Sequence, residues 1–130
     1  MSSRPLIKPH SVITDGSMAG NITSDVTIIQ QVSVMSYGYS WAGTSPVGTM
    51  SVQVSNDYSI DPGGAVLNAG TWTTMDLIYG GATVTSVPVT GNTGNGMIDL
   101  GLIGTYAIRT VYTRTSGTGT LQCKINAKVA

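Results

Sequence analysis

Residues Thr105 to Ala130 read TYAIRTVYTRTSGTGTLQCKINAKVA, and the alternation inside this stretch sets the fold class. Tyr106, Ile108, Thr110 and Tyr112 interleave with Ala107, Arg109, Val111 and Thr113. Leu121, Cys123, Ile125, Ala127 and Val129 then interleave with Gln122, Lys124, Asn126 and Lys128. Side chains of a strand point to opposite faces with a period of two, so each run is a half-buried strand. Ser116-Gly117-Thr118-Gly119 between them predicts the loop of an antiparallel hairpin.

The same reading extends upstream. Met50, Val52 and Val54 alternate with Ser51 and Gln53, and Val26 to Tyr37 carries Ile28, Val32 and Val34 on one face. Turn signals lie at Asp15-Gly16, Gly20-Asn21, Gly43-Thr44-Ser45-Pro46, Asn56 to Gly64 and Thr90 to Gly96. Roughly seven to nine short strands result, the spacing of a β-sandwich or jelly roll. We therefore expect an all-β chain: one antiparallel β-sandwich, jelly-roll-like domain over residues 11–130, preceded by an extended N-terminal arm over residues 1–10. Met1 to His10 holds Pro5 and Pro9 and shows no periodicity, which is why it reads as an arm.

Composition agrees. A chain of 130 residues is long enough to bury a core without metal or disulfide staples. Ser and Thr make up about a quarter of it, and Glu is absent, so almost no helix is expected. Charged residues are 9% of the chain, against about 25% in ordinary soluble proteins, and the net charge is +0. Net charge keeps small proteins apart, so a neutral Thr-rich surface suits a protein that lives packed against neighbours. Without a basic excess, nucleic acid is not an expected partner. No run is long enough for a membrane-spanning helix, and MSSRPLIKPHS has no apolar signal core, so synthesis in a cytoplasm is expected.

No residue set here is suited to run a reaction, and the chain is not expected to be an enzyme or to hold a cofactor. His10 is the only histidine and lacks partners for a triad or a zinc site. Asn56, Asp57 and Asp61 do not follow an EF-hand spacing, and turn capping accounts for them better than calcium. Gly91 to Gly96 is rejected as a phosphate loop because a β-like segment follows it where a helix is required. Cys123 reads as a small buried hydrophobe. Trp41 and Trp72 have two readings. In a chain without Phe they fill the core or a subunit interface; alternatively, one of them is an exposed platform for a sugar. Arg109 and Arg114 are an odd number of residues apart and should leave opposite faces of one strand.

Three segments carry a resemblance: GSMAGNITSDVT from Gly16 to Thr27, GTMSVQVSND from Gly48 to Asp57, and YAIRTVYTRTSGTGTL from Tyr106 to Leu121, with a Trp72-Thr73 step between the last two. Together they resemble small β-sandwich virion proteins of tailed bacteriophages. The resemblance implies a virion structural protein, a head decoration or cement (minor capsid) protein made in the bacterial host. Its partners would be the major capsid protein and sister copies, with a trimer as the expected oligomer. The expected interface is the arm, through Arg4, Pro5, Leu6, Ile7 and Pro9, together with Trp41. The competing expectation is a carbohydrate-binding module of a tail fibre or adhesin.

Overall fold

The computed structural model describes residues 6–29, 32, 34–101 and 105–128, and these hold strands and turns but no helix. In chain order the strands are β1 (Leu6–Ser17), β2 (Ile22–Thr23), β3 (Thr27–Ile28), β4 (Val34–Ser55), β5 (Ser59–Ile60), β6 (Val66–Asn68), β7 (Thr73–Thr74), β8 (Leu77–Tyr79), β9 (Ala82–Val84), β10 (Val87–Thr90), β11 (Thr93–Leu100) and β12 (Ala107–Lys128). The expected set of uniformly short strands gives way to two very long ones. β4 and β12 have 22 residues each and pair antiparallel along their whole length, from Ala107 opposite Ser55 to Lys128 opposite Val34.

The expected hairpin at Ser116 to Gly119 is therefore not a hairpin, and the expected loop at Gly43 to Pro46 is not a loop. Both lie in mid-strand, facing each other, with Thr118 opposite Thr44 and Gly119 opposite Gly43. Burial in β12 moves from even positions (Ile108, Thr110, Tyr112) to odd ones (Leu121, Cys123, Ile125). In β4 it moves from odd (Met35, Tyr37, Tyr39) to even (Met50, Val52). A chain reversal produces such an exchange, and so does one extra residue in a continuous strand, which is a β-bulge. Here it is the bulge. Register shifts at Arg114/Ser116 and again at Ser116/Thr118, then resumes its original offset.

The flanking strands bend at the same level. β1 pairs with the C-terminal half of β12, while β2 and β3 pair with its N-terminal half, so Met18 to Asn21 sits at the bend. On the other side β11 pairs with the first half of β4 and β10 with its second half, with Gly91-Asn92 at the bend. Backbone groups released by the bulges find partners across this line, as buried or half-buried polar groups must. Met18 N–H donates to the Gly119 carbonyl at 2.9 Å and Gly43 N–H to that of Asn92 at 2.7 Å. The Asn92 Oδ1 accepts from Ser45 N–H and the Asn21 Oδ1 from Arg114 N–H, both at 2.8 Å.

One hydrophobic core draws on both sides of the bend: Tyr37, Cys123 and Ile125 from one, Met50, Val52, Ile108 and Tyr112 from the other, with Met18 and Leu121 near the line between them. Each such side chain contributes about 1.5–3 kcal/mol by leaving water.

The expected arm is corrected in part. Leu6–His10 already belongs to β1, with Leu6 opposite Lys128, Ile7 opposite Ala127 and His10 opposite Ile125, so the expected boundary after residue 10 falls inside a strand. The sequence hides this because Pro9, with no N–H to give the ladder, coincides with a register shift that erases the alternation. A second shift makes the consecutive residues Val12 and Ile13 both buried. A third falls at Asp15, whose φ is 50°, so the expected Asp15-Gly16 turn is also a bulge. Arg4 and Pro5 lie outside the described residues.

Candidate functional site: an aromatic cleft beside strand β11

The polar residues weighed for chemistry turn out to be engaged by the fold's own backbone. Asp57 Oδ1 accepts from Thr71 N–H at 2.6 Å and from the Ser55 hydroxyl at 2.7 Å. The Thr71 backbone donor is the main reason its carboxyl sits below the ordinary range. Asp61 Oδ1 accepts from Gly63 and Ala65 N–H at 2.9 and 2.8 Å, and Asn56 Oδ1 from Tyr106 N–H at 3.0 Å. These are clasps on the backbone, and the Asp61 pair closes its own loop. Among the described residues no three His, Cys, Asp or Glu side chains gather in one place. His10 is exposed on β1.

The two tryptophans, equivalent in sequence, part company. Trp72 is half-buried, like Trp41, and is engaged by its neighbours: the Arg109 guanidinium lies 4.2 Å over its ring, Tyr58 packs at 5.8 Å, and its Nε1–H donates to the Ala69 carbonyl at 2.8 Å. Arg109 also donates from Nε to Gln53 Oε1 at 2.8 Å. It therefore stands on the face opposite fully buried Ile108 and Thr110. Arg114, on the other face, is exposed and donates to the Gly117 carbonyl at 2.9 Å.

Trp41 has a different setting. It lies on β4, its ring stacked beside Tyr39 with centroids 5.9 Å apart and planes 17° from parallel. Pairing puts Gly94 of β11 opposite Trp41 and Gly96 opposite Tyr39. A Cβ on either glycine would overlap the facing ring. The two rings thus rest on bare β11 backbone, which gives Gly94 and Gly96 a structural purpose unrelated to phosphate. Their segment belongs to the strand Thr93–Leu100, so most of the turn expected over Thr90 to Gly96 is strand. Trp41 Nε1–H donates to the Gly91 carbonyl at 3.0 Å, which fixes the indole plane.

Tyr39 and Trp41 line a cleft of about 540 Å³ bounded by β8, β10 and β11. Leu77, Val87 and Ile98 are its buried aliphatic residues, and Ile78, Tyr79 and Met97 are its most exposed apolar ones, at 75, 53 and 68%. Thr90 adds a polar group, Asn95 and Asp99 border the cleft from the other face of β11, and among the described residues no Lys, Arg or His lines it. Burial first, then the neighbouring Tyr79 and Cys123, holds the Tyr39 phenol above its ordinary pKa.

Of the expected interface residues, Leu6, Ile7 and Pro9 lie on β1, at one edge of the half-sheet β1-β12-β4-β11, and Pro9 is exposed. Trp41 faces β11 at the other edge, so the structure does not bring the two groups together. Sequence reading missed a second apolar surface, the hairpin β5–β6, where Ile60, Val66 and Leu67 are exposed at 39, 56 and 69%. Its only trace is the run Ala65-Val66-Leu67 inside a turn-rich segment. Compared with protein-family models, curated proteins and solved structures, this chain matches none of them.

Proposed function

We propose that this chain is a structural protein of a bacteriophage particle, a head decoration or cement protein that adheres to an assembled capsid shell. We read the two halves of its bent sheet as the layers of a β-sandwich closed on one core. The observation that carries the proposal is the β5–β6 hairpin. Every residue of β6 is exposed, and Val66 and Leu67 project from a small sheet separate from the main one. Exposed apolar clusters of this kind mark interaction surfaces. The lack of net charge leaves little repulsion between copies. Contact with the capsid protein and with sister copies, in a closed ring such as a trimer, would bury the hairpin. Modest contacts repeated on a lattice gain strength through multivalency. The mechanism is adhesion and needs no cofactor.

The test is copy number in purified virions, by quantitative mass spectrometry against the major capsid protein, for the native chain and for Leu67→Asp. Hundreds of native copies and a depleted variant with an unchanged melting curve support a shell component. A few dozen copies would move the protein to the tail or a vertex. Full occupancy by Leu67→Asp would remove the hairpin from the contact.

A further inference from the structure

We propose that the outward face of β11, β4 and the C-terminal half of β12 packs against the same face of a second copy of this chain, with Asp99 of each copy set between Lys124 and Lys128 of the other. The contact is separate from the β5–β6 hairpin and stands independently of the capsid reading.

Strand register lays out the face. Met97 stands opposite Gly38, and Gly38 opposite Lys124, so these three form one row across β11, β4 and β12. Asp99, Ser36 and Asn126 form the next row, and Lys128 lies one step beyond, opposite Val34. The core residues Tyr37, Ile98, Leu100 and Ile125 alternate with them and point the other way. Met97, Asp99, Lys124, Asn126 and Lys128 are all exposed.

Two features set this face apart from a merely solvated one. Met97 is 68% exposed beside Gly38, and a Cβ on Gly38 would meet nothing within 4 Å, so an apolar knob adjoins an open hollow. Its charges are also unspent. The Gln122 side chain is tied to Asp15 and that of Asn126 to Ser36. The side chains of Asp99, Lys124 and Lys128 make no hydrogen bond or ion pair among the described residues.

A two-fold operation satisfies those charges. With the axis lying along β4, between two facing sheets, β11 of one copy comes over β12 of the other. Met97 then lies along the methylenes of Lys124 of the second copy, beside the Gly38 hollow. Asp99 lies over Asn126 of the second copy, with Lys124 and Lys128 of that copy one step to either side. An axis running across the strands, along either row, would set lysine against lysine. A patch three strands wide is small beside the about 1,200–2,000 Å² of stable complexes, so the pairing is of the weak, concentration-dependent class.

Sedimentation of the full chain at low salt, up to about 1 mM, should show a monomer–dimer equilibrium that added salt weakens. Asp99→Lys, and separately Lys124→Asp with Lys128→Asp, should each weaken it about tenfold with an unchanged melting curve. Mixing these two variants should restore the dimer, because the introduced lysine of one meets the introduced aspartates of the other. Asp76→Lys, the same change of charge at an exposed position outside the face, should neither weaken the native dimer nor rescue the double variant. Leu67→Asp should leave the dimer unchanged, which separates this contact from the hairpin. A chain that stays monomeric throughout overturns the proposal. So does a dimer that keeps full affinity in both charge variants, or a mixture that binds no tighter than either variant alone.

Discussion

Ser45 of β4 and Gly117 of β12 meet at the bend with their backbones in the left-handed region, at φ of 47° and 78°, and the Ser45 carbonyl occupies the space a Gly117 Cβ would need. The turning of two 22-residue strands together passes through this pair. The extra residue in each strand restores the register, and only glycine fits so close to the facing carbonyl.

Gly117→Ala should therefore destabilise the fold by about 3 kcal/mol, combining left-handed strain with backbone overlap. Gly20→Ala has open space and an ordinary φ, and should stay within about 0.5 kcal/mol. Urea unfolding compares the two. Equal, small losses would mean the bend is soft and does not depend on this pair.

Tyr37 is fully buried, yet its hydroxyl has no hydrogen-bond partner among the described residues. A buried donor left unpaired costs about 1–3 kcal/mol. Tyr37→Phe removes that cost while keeping the ring, so the variant should match the native chain or exceed it by about 1 kcal/mol. A clear loss on chemical unfolding would reveal a bond that the hydroxyl does make.

Alkaline stability should be limited by the core. Burial pushes the Cys123 thiol from 9.0 up to about 12, and it raises the Tyr37, Tyr39 and Tyr112 phenols above 10.0. In the unfolded chain these groups lose their protons first, so the folded state holds more protons and loses stability as pH rises. The thiol's contribution, complete below the unfolded value, disappears between 9.0 and about 12. Melting temperature should hold level up to the lower value and then fall. Cys123→Ala should delay the fall to the tyrosine range. A variant that falls at the same pH as the native chain would take Cys123 out of the effect.

Deleting Met1 to Pro9 should trim the sheet as well as remove an arm. The deletion takes away the partners of Lys128 and Ala127. We expect a loss of about 1–2 kcal/mol, from the ladder bonds, and faster amide exchange at the end of β12. An unchanged melt with unchanged exchange would give Leu6 to Pro9 back to the arm.

How much of this is legible in the sequence can be followed along the two long strands. The alternation of Ile108-Thr110-Tyr112, of Leu121-Cys123-Ile125 and of Met50-Val52 identifies strands and their inward faces correctly, because a half-buried strand must alternate. The segment between two alternating runs reads as a reversal and is not one. A turn and a bulge use the same residues, glycine and small polar ones, and both exchange the buried parity. What separates them is the partner: Ser116 to Gly119 continues the strand without reversing because Gly43 to Val47, from far earlier in the chain, lies alongside it. The cleft is hidden for the same reason. Trp41 stands out in the sequence, but that it rests on Gly94 and that Arg109 covers Trp72 are facts of strand register.

The sequence by itself determined an all-β chain and the buried faces of β12 and of the second half of β4, since these follow from composition and period-two patterning. In the first half of β4 the expected face of Val34 is not the inward one, because Met35, Tyr37 and Tyr39 are buried instead. Only the tertiary structure decided that two long bent strands replace hairpins, that residues from Leu6 onward join the sheet, and which tryptophan lines a cleft. Those outcomes depend on pairing between residues far apart in the chain, and hydrogen-bond register is a property of two strands at once.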